Sequence, residues 1–289
     1  MKSKRTIFAS SIFLFSSFFF LNGVIFQPKK AYANNWNKLK VVNEKCFQNR
    51  VDGNYEKTID FCSQAIKIYP KNSGAFFNRG FANEELENYD AAIDDYLKSI
   101  ELDTKVSNQF AYNNLALVYT YQENYKEALK NIEIAIKIKP KDGLYVANRG
   151  WINMEAGNYK QAEKDYLNAK QLYLKYKKTR TYANCFRKSK NPNLKHCMLN
   201  TNFYNDLGWI QKNLKKYDLA LDNYNKSIKI NYPKEDLGYW IFSNRGDVKY
   251  ELGDKTGSCE DYKTASSMGD YEIQKWLGSW DGRWCRKMK

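Results

Sequence analysis

A dipeptide pattern recurs along this chain at nearly constant spacing. Asn-Tyr occurs at 54–55, 88–89, 124–125 and 158–159, at intervals of 34, 36 and 34 residues, and Lys216-Tyr217 follows after a further 58. Because 58 is 34 plus 24, one insertion separates the fourth and fifth copies. A chain with such a period is predicted to stack similar small units, each of which buries its apolar face against its neighbours.

Each copy carries the apolar pattern of two helices. After the tyrosine, small and large residues alternate at the third, seventh and tenth positions, as in Ala128, Ile132 and Ala135 after Tyr125, and this spacing lines one helical face. A second periodic stretch lies upstream and ends at a turn such as Gly157-Asn158, which predicts two antiparallel helices. With only 15 Gly and 5 Pro in 289 residues, an all-α fold is expected.

The third and fifth copies carry the fullest version of the pattern. The residues concerned are Tyr112, Leu115, Ala116, Tyr119, Ala128, Ala135 and Pro140 in the third copy, and Tyr204, Leu207, Gly208, Ala220 and Tyr224 in the fifth. On its 34-residue period this pattern resembles the tetratricopeptide repeat (TPR). The resemblance implies a right-handed α-solenoid of about six two-helix repeats, at 39–72, 73–106, 109–142, 143–176, 201–234 and 239–272.

Several positions depart from the family pattern. Arg79, Arg149 and Arg245 stand where the family favours Leu, Thr58 and Ser258 where it has Ala, and Lys255 where the other copies have Tyr. The Asn-Arg-Gly triplets at 78–80, 148–150 and 244–246 are similar to exported repeat proteins of cyanobacteria.

The segment after the sixth repeat is predicted to cap the stack. Within 271–289, which also holds a basic tail, the apolar residues Ile273, Trp276, Leu277 and Trp280 follow helical spacing. A last repeat leaves one apolar face uncovered, and such a helix would cover it. The alternative is that these Trp residues form a docking surface.

Residues 1–33 have the organisation of a secretory signal peptide. Three basic residues precede an uncharged apolar run from Ile7 to Phe26, and Ala31-Tyr32-Ala33 supplies a small-x-small cleavage site. An uncleaved anchor is the alternative, because about 20 apolar residues can span a bilayer. An exported location is expected, in a periplasm, a thylakoid lumen or outside the cell.

Six cysteines in an exported chain suggest a disulfide framework. Six cysteines allow 15 connectivities, and the choice among them stays open. Helix geometry places Cys46 opposite Cys62 in the first repeat, Cys185 and Cys197 could close a loop inside the insertion, and Cys259 and Cys285 would tie the last helix pair to the C-terminal segment. The spacing fits no zinc pattern, because there is no Cys-x-x-Cys and His196 is the one histidine. No metal or other cofactor is expected.

The net charge of +15 divides into two parts and a nearly neutral remainder. Five positive charges belong to residues 1–33, and nine lie between Tyr166 and Asn205, a stretch without Asp or Glu. The predicted basic patch, centred on the insertion at 177–200, comprises Lys175, Lys177, Lys178, Arg180, Arg187, Lys188, Lys190 and Lys195. An anionic membrane surface or an acidic partner would suit these charges, as would a solvated loop. The expected export argues against nucleic acid.

The TPR resemblance implies a peptide groove lined by the second, fifth, sixth, ninth and twelfth residues of each first helix. The candidates are Phe77, Asn78, Phe81, Phe110, Asn113, Asn114, Leu117, Asn148, Trp151, Trp209, Trp240 and Asn244. Amides can bond an extended peptide backbone while rings bury its side chains. The alternative is that some of these residues pack between repeats. The family's Lys and Arg clamp for a terminal carboxylate is not reproduced at these positions.

No catalytic machinery is evident in the sequence. There is no nucleophile with an oriented base, no phosphate-binding loop and no cluster of carboxylates that a pocket would need. The predicted function is a non-catalytic scaffold that binds a peptide segment or partner protein in the cell envelope or an exported compartment, with repeats 1 to 4 at 39–176 and repeats 5 and 6 at 201–272. The alternative is docking to a membrane surface or acidic partner through the basic insertion.

Overall fold

The structure is a computed structural model that describes residues 30–103, 108–176, 201–230 and 238–288, with side chains from residue 35 onward except at 201. Within these ranges the chain is helical, without strands. The predicted all-α class is confirmed. The predicted leader at 1–33 lies almost wholly outside the described residues, as do Cys185, Cys197 and the basic patch beyond Lys175.

The helices come in pairs that follow the sequence repeats. The first six are α1 (Lys30–Val51), α2 (Tyr55–Ile68), α3 (Ser73–Glu85), α4 (Tyr89–Leu102), α5 (Gln109–Tyr121) and α6 (Tyr125–Ile138). The next six are α7 (Gly143–Glu155), α8 (Tyr159–Tyr176), α9 (Thr201–Asn213), α10 (Tyr217–Ile230), α11 (Tyr239–Glu251) and α12 (Lys255–Ser267), and the last two are α13 (Tyr271–Gly278) and α14 (Arg283–Arg286). We call the pairs α1–α2 to α11–α12 repeats 1 to 6. The chain forms two compact units, one ending at Lys139 and the other beginning at Pro140.

One turn geometry explains the recurring dipeptide. The residue before it has a left-handed backbone with φ between 57° and 86°, and these residues are Gly53, Glu87, Glu123, Gly157, Lys215 and Gly253. The next N–H then reaches back five residues, as from Asn88 to the carbonyl of Asn83 at 2.8 Å. This hydrogen bond ends the first helix in a Schellman motif. The tyrosine that follows begins the second helix, so the turn places it at a constant point in each of the first five repeats.

The two helices of a repeat meet where a small residue faces a large one sixteen residues later. The pairs in contact are Gly80 and Tyr96, Gly150 and Tyr166, Gly208 and Tyr224, and Gly246 and Tyr262. In repeat 3 the same two positions hold Ala116 and Ile132, and both are buried. A Cβ added at Gly150 would lie 2.6 Å from Cδ2 of Tyr166, closer than carbon atoms can approach. In repeat 1 the corresponding residues are Cys46 and Cys62, and they form a disulfide with a Cα–Cα distance of 5.0 Å. A covalent bond therefore replaces the packing contact of the other repeats.

The arginines that depart from the family pattern each bind an aspartate on the partner helix. Arg149 donates to both carboxylate oxygens of Asp165, at 3.0 and 2.6 Å. Arg79 with Asp95 and Arg245 with Asp261 repeat this arrangement. Repeats 3 and 5 instead place Leu115 or Leu207 with Asn131 or Asn223 at the same positions. The ion pair thus occurs in repeats 2, 4 and 6.

The C-terminal segment folds back on the last repeat. Trp276 of α13 lies edge-on to Tyr262 at 5.1 Å between ring centroids, and Cys285 forms a disulfide with Cys259 of α12. The helix predicted over 271–280 ends at Gly278, however, and Trp280 beyond it is 77% exposed. The reason is that the chain must turn at 279–282 for Cys285 to reach Cys259. Among the described helices, none is both long and apolar enough to cross a membrane.

The ion pair of repeat 4 predicts a specific pattern of stability. Asp165→Asn should lower the free energy of unfolding by about 2 kcal/mol, because Arg149, whose side chain is 20% exposed, then loses the carboxylate to which it donates two hydrogen bonds. Adding Arg149→Leu recreates the Leu and Asn arrangement of repeats 3 and 5 and should recover most of this loss. Thermal and urea unfolding would measure both effects.

The exposed pair between Lys226 and Asp222 supplies the control. Asp222→Asn should change stability by less than about 1 kcal/mol. A double variant no more stable than Asp165→Asn alone would contradict the interpretation.

The disulfides predict a second pattern. Non-reducing peptide mapping should find Cys46 joined to Cys62 and Cys259 joined to Cys285. Replacing Cys46 and Cys62 by Ala should destabilise the protein by about 3 kcal/mol, through the freed loop. The combination Cys46→Gly with Cys62→Tyr should be more stable than the Ala pair, because it restores the contact of the other repeats. Equal melting temperatures for the two double variants would show that Gly at 46 and Tyr at 62 do not restore the packing contact of the other repeats.

Candidate functional site

The candidate site is the surface formed by the second, fifth, sixth, ninth and twelfth residues of the first helices within one compact unit, which we call the first-helix face. Neighbouring first helices touch there. In the N-terminal unit, Nδ2 of Asn78 lies 3.7 Å from Sγ of Cys46. In the C-terminal unit, Nζ of Lys212 donates to Oδ1 of Asn244 at 3.0 Å. These contacts join the face of repeat 1 to that of repeat 2 and the face of repeat 5 to that of repeat 6.

The predicted groove residues divide into two groups by exposure. Six are buried: Phe81, Asn113, Asn114, Leu117, Asn148 and Trp151. Six keep part of their surface accessible: Phe77, Asn78, Phe110, Trp209, Trp240 and Asn244. The buried residues serve helix packing, and the second group is what a partner could touch.

Some of the rings pack between repeats. Tyrosines that begin a second helix reach the first helix of the next repeat within the same unit: Tyr55 meets Phe81 at 6.2 Å, and Tyr159 meets Trp209 at 5.3 Å between ring centroids. In repeat 3, Tyr121 replaces this ninth-position ring and stacks on Tyr89. Phe81 is enclosed by this packing, whereas Trp209 retains an accessible edge.

Tyrosine hydroxyls bring hydrogen bonds to the first-helix face. The hydroxyl of Tyr96 donates to Oε2 of Glu84 at 2.5 Å and accepts from Nδ2 of Asn114 at 3.1 Å. In the C-terminal unit, Tyr166 donates to Oδ2 of Asp206 at 2.8 Å. Asn114 is therefore engaged within the chain. Glu84 and Asp206 were missed as site residues, although they occupy a twelfth and a sixth position.

A third set of polar contacts joins the helices of repeats 5 and 6. Lys212 binds Oδ2 of Asp247 at 2.5 Å as well as Asn244, and Tyr262 donates to Asp247 at 2.9 Å. Tyr224 occupies in repeat 5 the position that Tyr262 has in repeat 6. Its hydroxyl is buried and has no hydrogen-bond partner in the part of the chain that the structure describes. The same holds for Oδ1 of Asn205. Burial, together with the carboxylate of Asp247, raises the pKa of Tyr224 well above its usual value.

Glu84 titrates differently from an ordinary carboxyl. Burial raises its pKa to about 8, the hydrogen bond from Tyr96 opposes that shift, and Glu85 adds to it. The protonated form is therefore favoured in the folded state up to mildly alkaline pH.

Two further kinds of site come into question among the described residues, a metal site and the predicted basic patch. The described ranges contain no group of three or more His, Cys, Asp or Glu side chains that could hold a metal ion. Of the basic patch, Lys175 lies within these ranges, at the end of α8 with Nζ 5.5 Å from the ring centroid of Tyr176. Its remaining residues lie outside them, and the predicted membrane or acidic-partner contact stays a prediction.

Comparison with known proteins identifies the repeats. Residues 110–142 match one family model described as tetratricopeptide repeat, and residues 73–105 and 201–233 match another of the same description. The chain is a tetratricopeptide repeat protein. Its matched segments are repeats 2, 3 and 5.

Two relatives share part of their sequence with this chain. Serine/threonine-protein phosphatase T of Aspergillus oryzae is 38% identical over 104 residues, which are 35% of this chain and 20% of that protein. A TPR repeat-containing protein of Methanocaldococcus jannaschii is 23% identical over 294 residues, covering 78% of this chain and 50% of that protein. The chain therefore spans half or less of the length of these relatives.

A solved structure shares the fold. The structure reported as a functional characterization of Pseudomonas aeruginosa pilF has a TM-score of 0.63 and covers 85% of this chain and 99% of its own, at 13% identity. At this identity the likeness concerns the fold alone.

The raised pKa of Glu84 predicts how the stability of the protein changes with pH. A carboxyl whose pKa is raised on folding stabilises the protein below its unfolded pKa, and this contribution is lost as pH rises from about 4.5 through about 8. Glu84→Gln keeps an acceptor for Tyr96 and cannot ionise. The melting temperature of the variant should therefore exceed that of the wild type increasingly across this window.

Glu44, an exposed glutamate of α1, provides the control. Glu44→Gln should leave the pH profile of the melting temperature unchanged. Parallel profiles for Glu84→Gln and the wild type would show that Glu84 ionises normally.

Proposed function

We propose that this TPR protein is a non-catalytic scaffold whose first-helix faces bind an extended segment of a partner protein. The observation that carries the proposal is the row of partly exposed rings and amides on neighbouring first helices, with Phe77 and Asn78 on α3 and Phe110 on α5 in the N-terminal unit. Rings supply apolar contact area at low entropic cost, and amides can both donate to and accept from a peptide backbone.

The C-terminal unit offers a more polar version of the same face. Trp209 and Trp240 are partly exposed on α9 and α11, beside the ion pair of Lys212 with Asp247. The buried Oδ1 of Asn205 lacks a donor among the described residues. Because an unpaired buried acceptor costs about 1–3 kcal/mol, a peptide N–H that reached this atom would recover part of that cost.

The proposal does not include the catalytic activity named for the phosphatase relative. The alignment with the Aspergillus oryzae protein covers 20% of its length. No enzyme activity is proposed for the chain.

An exported location is proposed as well. Two disulfides between helices are typical of an oxidising compartment and rare in the cytosol. Their support is independent of the apolar segment at 7–26, which lies outside the described residues. Peptide mapping on protein isolated from its own cells, with thiols blocked at lysis, tests the proposal: free thiols at Cys46, Cys62, Cys259 and Cys285 would refute it.

A display experiment tests peptide binding. A phage library of random 12-residue peptides should yield sequences that bind the wild-type chain, and Phe110→Ala should weaken their binding about tenfold, as expected when a ring in an interface is removed. Fluorescence anisotropy with the selected peptides would measure the dissociation constants.

Leu97 of α4 allows a matched control, because it is an exposed apolar residue on a second helix. Leu97→Ala should bind the selected peptides like the wild type. The proposal would be refuted if no peptide were enriched, or if Leu97→Ala weakened binding as much as Phe110→Ala while both proteins stayed folded.

A further inference from the structure

Arg50 is an arginine on the first-helix face that has aromatic neighbours and no counter-ion among the described residues. Counted from residue 39, where the sequence repeat begins, it occupies the twelfth position of repeat 1, near the end of α1. Its guanidinium carbon lies 5.2 Å from the ring centroid of Phe47, on the same helix, and 5.2 Å from that of Phe81, on the next first helix. The rings belong to the ninth positions of repeats 1 and 2, so the cation joins two neighbouring repeats.

The charge of Arg50 has no partner within the described chain. Its side chain forms no hydrogen bond or ion pair to any described residue, and its Nε is shielded from solvent without an acceptor. The other partly buried arginines of the repeats differ, because Arg79, Arg149 and Arg245 each bind both oxygens of an aspartate. Among the arginines of the described repeats, Arg50 is thus the one without a bound carboxylate.

An unpaired and partly buried cation is unfavourable for stability. Burial lowers the pKa of Arg50, and the nearby Tyr96 and Tyr55 offset this only in part. Attraction to the two rings compensates for some of the lost hydration. A guanidinium in such surroundings can still offer two parallel N–H groups to a planar anion, and a carboxylate matches that geometry.

The surroundings favour a carboxylate carried on a peptide. Phe47, which packs against Arg50, is 39% exposed, and Asn78, which is partly exposed, lies three residues before Phe81 on α3. The methylene groups of a glutamate could lie on the ring while its carboxylate meets the guanidinium, and the amide could bond the adjacent backbone.

We propose that Arg50 is the anchor for an acidic side chain within the partner segment, so that the N-terminal unit selects peptides with an internal Glu or Asp. This inference rests on the proposed function, since it names the chemistry of the segment that the first-helix face binds. It concerns a side-chain carboxylate and not the end of a chain.

The test uses defined peptides with both ends blocked. Acetylated and amidated 12-residue peptides, with random flanks and a fixed central Glu, Gln or phosphoserine, are arrayed and probed with wild-type protein. The Glu set should bind about tenfold more tightly than the Gln set, as expected for a hydrogen-bonded charge pair. Arg50→Met, which keeps an unbranched side chain between the rings, should abolish the difference.

Lys67→Met removes the same charge from an exposed position of α2 and should keep the preference for Glu. Melting temperatures separate binding from a structural role. If Arg50 serves a ligand, Arg50→Met melts at or above the wild-type temperature, because an uncompensated charge is gone. A lower melting temperature with unchanged preference would show that Arg50 only joins repeats 1 and 2, and would overturn the inference.

The remaining outcomes separate the two proposals. Peptides that bind without preferring Glu would refute the role of Arg50 and leave the scaffold function standing. Preference for phosphoserine alone would replace the carboxylate by a phosphate and overturn the inference as stated. A wild-type chain that bound none of the sets would contradict both.

Discussion

The close contact between a small residue on the first helix and a large residue sixteen positions later is the constraint on which the other packing depends. Only a residue without a side chain lets the ring of Tyr166 lie against the backbone at Gly150. The same ring then carries its hydroxyl to the first helix of the next repeat, where it meets Asp206. One tyrosine therefore joins the two helices of its own repeat and also links that repeat to its successor.

Much of this architecture was predictable because it is periodic. The spacing of the Asn-Tyr dipeptides predicted the helix pairs, and the position of Cys46 opposite Cys62 predicted their disulfide. Partners at a constant separation can be found by comparing repeats. The pairing of Arg79 with Asp95 could have been predicted by the same comparison. Repeats 2, 4 and 6 have Arg at this position and Asp sixteen residues later, whereas repeats 3 and 5 have Leu and Asn.

Exposure was harder to predict than position. Helical periodicity gives the direction in which a side chain leaves its helix, but it does not tell which neighbour covers it. Phe81 and Trp209 share the ninth position, and only Phe81 is fully buried. Tyr55 and the Arg50 guanidinium both pack against Phe81, whereas the described contact at Trp209 is with the ring of Tyr159. These contacts arise between repeats and depend on residues about 26 to 50 positions apart.

The two disulfides have a consequence for how the protein loses its structure. A stack of repeats ordinarily frays from its outermost members, because each of these has a neighbour on one side only. Here the first pair of helices is closed by Cys46 and Cys62, and the last is tied to its following segment by Cys259 and Cys285. Under oxidising conditions the outermost repeats are therefore reinforced against opening, and the first cooperative loss of structure is directed toward the interior repeats, whose described residues contain no disulfide.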